Sequence, residues 1–139
     1  MTLIYRQNKS IIKAFCKTLY DFDEKAVRRI LGEMLSHDAI CHLCHPFGDI
    51  AAHQIYDKLF TPLHYALPDV ERRDMICISG SDQNAANWVG CAGHYVGRFI
   101  MPFLSIPPTG HIASVRYHEF YCFTNGQITE MHVIWDLPC

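Results

Sequence analysis

Two β-prone runs joined by Asn125-Gly126 decide the fold; residues 111–136 read HIASVRYHEFYCFTNGQITEMHVIWD. Asn-Gly between such runs is the strongest short-range signal for a β-hairpin, because both central positions of a type I′ turn need positive φ. We therefore predict a two-residue turn at this dipeptide, with Thr124 facing Gln127 and the two strands paired antiparallel.

The strand that precedes this hairpin is interrupted by glycine. Residues 88–99 are aromatic and β-prone, but they contain Gly90, Gly93 and Gly97. Glycines inside a strand mark bulges, sharp bends or close backbone approach. Three of them predict a sheet that bends strongly enough to wrap around something. A further strand is expected at residues 70–79.

The first half of the chain shows helical periodicity. Asp21 or Asp23 can cap a second helix, Asp49 can cap a third, and Pro62 should kink or shorten the third one. A short β-prone stretch, residues 39–44, lies between the second and third helices. The apolar positions of the three helices are Ile4, Ile11, Phe15 and Leu19, then Val27, Ile30, Leu31 and Met34, then Ile50, Ile55, Leu59 and Leu63.

Helices first and strands afterwards predict an α+β fold, in which three N-terminal helices pack on one face of a strongly curved antiparallel sheet. Helices that cross the concave side of such a sheet leave a conical cavity, and a cavity of this kind binds a small molecule. No linker or repeat divides residues 1–139, so we expect a single domain.

The composition argues against several partners. The 139 residues are 50% hydrophobic, and the formal net charge of −2 gives no electrostatic reason to bind nucleic acid or an anionic membrane. No stretch is apolar and long enough to span a bilayer, and Arg6 and Lys9 interrupt any signal-peptide core. The seven scattered cysteines are typical of reduced thiols, so we expect a cytoplasmic protein.

The segment Cys41-His42-Leu43-Cys44-His45 has the spacing of a haem c or zinc motif. On a strand, Cys41 and His45 point to one face while His42 and Cys44 point to the other, so four ligands cannot converge. No second Cys-x-x-Cys completes a zinc site. We therefore expect no metal and no other cofactor, and we interpret the segment as thiols and imidazoles near the pocket, with His42 a candidate ligand contact.

Several segments occur together in the order of a known family, along nearly the whole chain. They are Gly93-His94-Tyr95-Val96-Gly97-Arg98, Ile106-Pro107-Pro108-Thr109-Gly110, Asn125-Gly126-Gln127-Ile128, Trp135-Asp136, Ala66-Leu67-Pro68-Asp69 and His45-Pro46-Phe47-Gly48. The chain thus resembles the SnoaL-like polyketide and ester cyclases of the nuclear-transport-factor-2-like superfamily. The resemblance implies the cone-shaped fold and an intramolecular aldol cyclase or isomerase without a cofactor.

The resemblance also implies positions for the acid/base residues. In the polyketide cyclases of this family, an Asp on the last strand takes a proton α to a carbonyl, and a His on the preceding strand is its partner. Counted from Gly126, these positions are Val133 and Glu119 in this chain. An apolar residue therefore stands at the acid/base position, and a carboxylate replaces the imidazole.

A cross-strand pair on the predicted hairpin offers acid/base chemistry of its own. The two-residue turn places Glu119 opposite His132, on a face shared with Tyr117 and Asp136, which are candidate ligand contacts. If this face lines the pocket, Glu119 is the general base and His132 its electrostatic partner. If the face is solvated instead, the two residues form an ordinary ion pair.

The alternative face gives a different candidate. It carries His118 and Trp135, and His118 becomes the acid/base group if this face lines the pocket; a single bulge would exchange the two faces. On the glycine-rich strand, Trp88, His94 and Arg98 share a face and can orient the polar end of a ligand, with Arg98 binding a carboxylate or an enolate.

Three functions are compatible with these residues. The first is an enzyme that acts on a small apolar carbonyl compound by proton abstraction, followed by cyclisation or isomerisation. The others are a non-catalytic binder of a small apolar ligand and a dimerisation module with a vestigial pocket. The first is our working hypothesis. A homodimer is expected in each case, because an open sheet leaves apolar surface in water.

Overall fold

The computed structural model describes residues 3–137, in which helices precede most of the sheet. Between β2 and α3 the chain makes a 3₁₀ turn at Ala52–Gln54 and a π turn at Tyr56–Phe60. In the described part of the chain, no helix has both the length and the apolar character to cross a membrane. The helices and strands are α1 Leu3–Tyr20, α2 Glu24–Met34, β1 Leu35–Leu43, β2 Asp49–Ala51, α3 Thr61–Ala66, β3 Glu71–Ser81, β4 Asn87–Arg98, β5 Ile112–Thr124 and β6 Gln127–Asp136.

All six strands form one sheet in the order β2-β1-β6-β5-β4-β3. Strands β3 to β6 are the predicted antiparallel meander. Strand β1, however, runs parallel to β6, with His42 beside His132 and Leu43 beside Val133. The sheet is therefore mixed: the predicted antiparallel strands are present, and β1 adds one parallel pairing that was not predicted. The β1–β6 pairing joins distant parts of the chain, so local periodicity does not reveal its direction.

The start of the third helical segment also differs from the prediction. Asp49 does not cap it, because Asp49–Ala51 is strand β2 and pairs with β1. Pro62 lies in the first turn of α3, which follows the π turn directly and is only six residues long, so the regular helix is short, as predicted. Asp23, in contrast, caps α2 as predicted and accepts a hydrogen bond from the backbone N–H of Lys25.

Gly93 is the glycine that the bent strand needs most. A Cβ there would collide with the carbonyl oxygen of Arg73 and with the Tyr117 side chain. Gly93 faces Asp74 on β3, and the register shifts between Asp74 and Ile76, so that one residue bulges out of β3. The predicted close approach of backbone is thus confirmed at Gly93, and the bulge lies beside a charged residue that points inward.

The predicted turn at Asn125-Gly126 is confirmed, since Thr124 pairs with Gln127. One extra residue, Thr129, then shifts the register of β6, so that Glu119 pairs with Val133 and Phe120 pairs with His132. The predicted pairing of Glu119 with His132 was therefore wrong. A bulge of one residue moves all later side chains of a strand to the opposite face.

The sheet has an inner face, which packs on the helices, and an outer face, which does not. On β5, Tyr117, Glu119 and Tyr121 are buried on the inner face, whereas His118 and Phe120 are exposed on the outer face. Alternate residues of the other strands follow the same division.

Aromatic side chains fill the centre of the concave side. Phe15 of α1 packs edge-on against Phe60 and Tyr121, with ring centroids 6.0 and 6.4 Å away. Phe60 in turn packs edge-on against Trp135 of β6 at 6.0 Å. The space that the cone encloses is therefore occupied by side chains at its centre, and open volume lies towards its edges.

Candidate active site

A buried ion pair lies on the inner face, between β3 and β5. Arg72 is 1% exposed and Glu119 is 0% exposed, and 2.6 Å separate Nη1 of Arg72 from Oε1 of Glu119. The guanidinium also stacks on the ring of Tyr117, 4.1 Å from its centroid. Taking two charges out of water costs several kcal/mol per ion, so such a pair needs further hydrogen bonds.

Four donors surround the Glu119 carboxylate. Oε1 accepts from Arg72 and from the Tyr121 hydroxyl, and Oε2 accepts from the Tyr95 hydroxyl at 3.1 Å and from Nε1 of Trp135 at 2.9 Å. Burial raises the pKa of Tyr95 and of Tyr121, which keeps both hydroxyls protonated as donors. Each carboxylate oxygen thus has two protein donors, which leaves no lone pair free for a substrate proton.

Asp74 connects this network to the surface. Its Oδ1 accepts from Nε of Arg72 at 3.0 Å, from the Cys16 thiol at 3.4 Å and from the Tyr117 hydroxyl. Burial raises the pKa of Tyr117, and the hydrogen bond to Asp74 raises it as well. The Asp74 side chain is 28% exposed, and no described residue donates to its Oδ2. One oxygen is therefore fixed and the other is free.

A groove of about 490 Å³ lies between α1 and β3 and contains Asp74 in its lining. This volume is in the range of small-molecule sites. Four of its residues carry positive charge, so a single carboxylate stands in an electropositive setting. The lining consists of Lys13, Cys16, Lys17, Tyr20, Arg72, Arg73, Asp74 and Cys77.

A second cavity, of about 250 Å³, lies where α2 faces β1 and the 3₁₀ turn. It contains Arg28, His37, His53 and Tyr56, but its described lining has no carboxylate. The first groove is therefore the better candidate for acid/base chemistry.

Cys77 is a partly buried thiol in the lining of the groove. It pairs with Cys91 across β3 and β4, and the Cys91 thiol donates to Sγ of Cys77 at 3.7 Å. This hydrogen bond lowers the pKa of Cys77 to about 7. Hydrogen bonds with Cys16 and Cys77, together with burial, raise the pKa of Cys91 instead. Of the two thiols, Cys77 is therefore the one that ionises more readily, and Cys91 remains the protonated donor.

Two groups of potential metal ligands occur among residues 3–137. Sγ of Cys16, a carboxylate oxygen of Asp74 and Sγ of Cys91 lie within 4.8 Å of one another. The raised pKa of Cys91 disfavours the thiolate that a metal requires, so this group does not fit a metal well. The other group is His42, Glu130 and His132, on the outer face.

The structure brings together three of the predicted site residues on the inner face: Glu119, Tyr117 and Trp135. The other seven lie on the outer face, and none of them lines the groove between α1 and β3. Trp88, His94 and Arg98 do share a face, as predicted, but it is the outer one. The residues on the outer face are His118, His132, Trp88, His94, Arg98, Asp136 and His42.

Local partners occupy several of these outer side chains. Nε1 of Trp88 donates to Asp82 at 2.9 Å, and His94 hydrogen-bonds Ser114 at 3.0 Å. Arg98 extends towards a carbonyl oxygen of the neighbouring loop. The ligand-binding roles assigned to them stay predictions, but the bulge at Thr129 separates His132 from Glu119.

Cys41 and His42 show the alternation that a strand predicts, whereas Cys44 and His45 lie beyond the end of β1. Cys41 points inward, and burial raises its pKa to about 12, so it remains a neutral thiol. His42 points outward, towards β6. Cys41 and His42 therefore lie on opposite faces of the sheet.

Sequence reasoning missed Arg72 and Asp74. The sequence did contain an indication of them, because strand alternation places Arg72 and Asp74 on the same face as Val70, which is buried. A charged residue in phase with a buried one is an indication of an internal ion pair or a site. The carboxylate partner, Glu119, was identified from the hairpin.

Solved structures with this fold include three of low sequence identity. A candidate SnoaL-like polyketide cyclase from Jannaschia sp. CCS1 is 17% identical, with a TM-score of 0.79 over 98% of this chain and 90% of its own. A candidate polyketide cyclase from Streptomyces antibioticus is 18% identical, with a TM-score of 0.74 over 94% and 92%. A candidate hydroxylase from Streptomyces galilaeus is 15% identical, with a TM-score of 0.75 over 95% and 76%.

The chain therefore has the cone-shaped α+β fold of the SnoaL-like polyketide cyclases, and the fold expected from its motifs is confirmed. No protein-family model matches the sequence, and no curated protein matches it. Identities this low show the fold alone, and one fold supports many activities. The activity has to be argued from the site.

Proposed function

We propose that this protein is an acid/base enzyme that cyclises or isomerises a small carbonyl compound, with Asp74 as the general base. One observation carries the proposal: three donors hold Oδ1 of Asp74, while Oδ2 is free in a groove of about 490 Å³. A fixed carboxylate with one free oxygen is oriented to accept a proton from a bound substrate.

The proposed reaction begins with proton transfer from the carbon α to a carbonyl to Oδ2 of Asp74. The C–H electron pair moves into the carbonyl group and forms an enolate. In a cyclase the enolate carbon then attacks a second carbonyl of the same molecule, and Asp74 returns its proton to the new alkoxide. In an isomerase Asp74 returns the proton to a different carbon. The protein ends each cycle unchanged.

Cationic residues of the groove supply the stabilisation that an enolate needs. Arg72 lies beneath the groove, and its Nη2, which has no partner among the described residues, is buried, so its charge acts on the groove without direct contact. Lys13 and Lys17 of α1 face the same space. This setting favours a substrate that is itself anionic or becomes so in the transition state, while the Tyr20 ring offers an apolar contact.

Glu119 has a positioning role in this proposal rather than the catalytic role predicted from the hairpin. It fixes Arg72, and Arg72 in turn donates to Asp74. The two positions that the family resemblance marks, Glu119 and Val133, face each other on the inner face. The proposed site thus lies beside the positions that the resemblance marks for the acid/base residues, but its accessible carboxylate comes from β3.

The experiment measures exchange of α-protons of small ketones and β-keto acids in D₂O by NMR, a readout that does not depend on having the natural substrate. Asp74→Asn should slow the exchange by about 10²- to 10⁴-fold, the usual contribution of a general base. Glu71→Gln is the matched control, because Glu71 lies on the same strand and pairs with the exposed Arg73. Equal exchange by wild type and Asp74→Asn would refute the proposal.

We also propose that a second copy of the chain covers the outer face, as expected for an open sheet. Five large apolar side chains there are between 41% and 64% exposed. Surface of this kind is typical of an interface. Light scattering should give the mass of a dimer, and a monomer at micromolar concentration would contradict it. The five residues are Ile40, Ile76, Ile78, Phe120 and Ile134.

A further inference from the structure

Two histidines and a glutamate meet on the outer face, far from each other in sequence. His42 lies on β1 and His132 on β6, directly beside each other in the parallel pairing of these strands. Their rings stack with centroids 4.6 Å apart. Oε1 of Glu130 lies 3.5 Å from Nε2 of His42 and 3.0 Å from Nε2 of His132.

A second carboxylate orients one of the two imidazoles. Oδ1 of Asp49, on β2, lies 3.0 Å from Nδ1 of His42. Because a carboxylate only accepts, Nδ1 of a neutral His42 carries the proton, and Nε2 then presents a lone pair to Glu130. A carboxylate behind a ligating histidine is the usual arrangement around protein-bound metals.

In this tautomer Nε2 of His42 and Oε1 of Glu130, 3.5 Å apart, direct lone pairs towards the same point. A cation at this point would satisfy both groups and would also bind Nε2 of His132. For tetrahedral zinc, bonds of about 2.0–2.1 Å place two ligand atoms about 3.3 Å apart. The two N–O distances of 3.5 and 3.0 Å lie on either side of this value.

We propose that His42, His132 and Glu130 bind a divalent transition-metal ion, with Asp49 as the positioning residue. Two imidazoles and one carboxylate suit zinc, nickel, copper or ferrous iron better than magnesium or calcium. In the single chain the three side chains are 34% to 41% exposed, so the proposed site faces outwards from the sheet. All the ligands come from one chain.

This inference is independent of the proposed acid/base function. The cluster lies on the outer face of β1 and β6, whereas Asp74 lies in the groove beside β3, at the opposite edge of the sheet. The Cys41–Cys44 motif led us to expect no metal, because its own ligands diverge. The proposed site uses only His42 of that segment, and its other ligands come from β6.

The test is calorimetric titration of tag-free protein with Zn²⁺. We expect one ion per chain in the wild type, and at least tenfold weaker binding in His42→Ala and in His132→Ala. Asp49→Asn should weaken binding by about 10- to 100-fold, as loss of an outer-shell partner does. Glu130→Gln, which keeps the shape of the side chain, should also weaken it.

Two controls separate this site from other ligands. His118→Ala removes an exposed histidine from the same face and should leave the affinity unchanged. Trp88 lies 5.8 Å from the His132 ring, so Ni²⁺ should quench its fluorescence, and Trp88→Phe should abolish the quenching but not the calorimetric signal. These two readouts do not depend on activity.

Three results would overturn the inference. The first is the absence of saturable one-to-one binding by the wild type. The second is binding of equal strength by the His42→Ala/His132→Ala double variant, which would point to thiols elsewhere. The third is a stoichiometry of one ion per two chains, which would indicate a site between copies.

Discussion

At the scale of single residues, hydrogen-bond donors stabilise the buried charge of Glu119, and the Glu119 carboxylate stabilises the buried charge of Arg72. Both charges are buried, and each is stabilised almost entirely by the other groups of the network. Burial alone would lower the pKa of Arg72, but the Coulomb attraction of Glu119 raises it above its usual range. Removing one partner therefore leaves the other as an uncompensated buried charge.

We predict that Glu119→Gln lowers the free energy of unfolding by about 3–5 kcal/mol, as expected when a buried ion pair loses one partner. Urea denaturation followed by circular dichroism measures it. The control is Glu24→Gln, which breaks an exposed ion pair with Arg28 and should have a much smaller effect. Similar losses in the two variants would show that the buried pair has no special importance.

A second prediction concerns the thiol of Cys77. Its pKa of about 7 is below the usual value, so the thiolate fraction, and with it the rate of alkylation by iodoacetamide, should be half-maximal near pH 7. Cys91→Ala removes the thiol that donates to Cys77 and should shift this profile to higher pH, whereas Cys77→Ser should remove the fast phase. A wild-type profile centred near pH 9 would contradict the assignment.

At the scale of elements, the bulges in β3 and β6 determine which side chains meet. Thr129 places Met131 and Val133 inward and His132 outward, and the bulge after Asp74 lies opposite Gly93. Bulges are frequent next to active sites because they change the direction of a side chain. The bulge in β3 lies directly beside Asp74 of the inner-face network.

Gly93 tests how tightly β3, β4 and β5 are packed. Gly93→Ala should lower the free energy of unfolding by about 3 kcal/mol, the upper end of the cost of overpacking, because the methyl group meets backbone. Thermal denaturation monitors the change. Gly80→Ala, on β3, is the control: nothing lies within 4 Å of its added Cβ, and its effect should stay within about 0.5 kcal/mol. A harmless Gly93→Ala would show that β3 can move away.

The elements also show how far the sequence alone could lead. Asn125-Gly126 specified the turn, and the glycines of β4 indicated the bend, because both depend on local backbone conformation. The extra residue Thr129 has no such local signal, so the pairing derived from the turn placed Glu119 opposite the wrong residue. The family resemblance instead counts seven residues to either side of Gly126 and so marks Glu119 and Val133. These two residues do pair in the structure, because equal counts on both sides leave room for one bulged residue in β6.

At the scale of the whole molecule, the sequence predicted the fold but not the location of the accessible carboxylate. Several residues of each helix, strand or turn indicate the same local structure. The α+β cone can therefore be predicted even when a single position is misleading. The groove, in contrast, depends on how α1 lies against β3, which is a contact between distant segments. Arg72 and Asp74 were missed because a charged residue on a strand is exposed in most proteins.

The whole molecule also separates two regions that have different chemistry. The groove at the β3 edge contains a fixed carboxylate among cations, and the outer face near β1 and β6 contains imidazoles and carboxylates. The order of strands places them at opposite sides of the sheet. Residues of one region can therefore be mutated without changing a direct contact of the other region.

The most direct test of the central claim is a crystal structure of the protein with a small β-keto acid analogue that cannot react. We predict that the analogue occupies the groove between α1 and β3, with the carbon that corresponds to the acidic position about 3–3.5 Å from Oδ2 of Asp74, as a near-attack geometry requires. Its oxygens should contact Lys13 or Lys17. An analogue bound away from Asp74, for example in the cavity beside His37 and His53, would contradict the account.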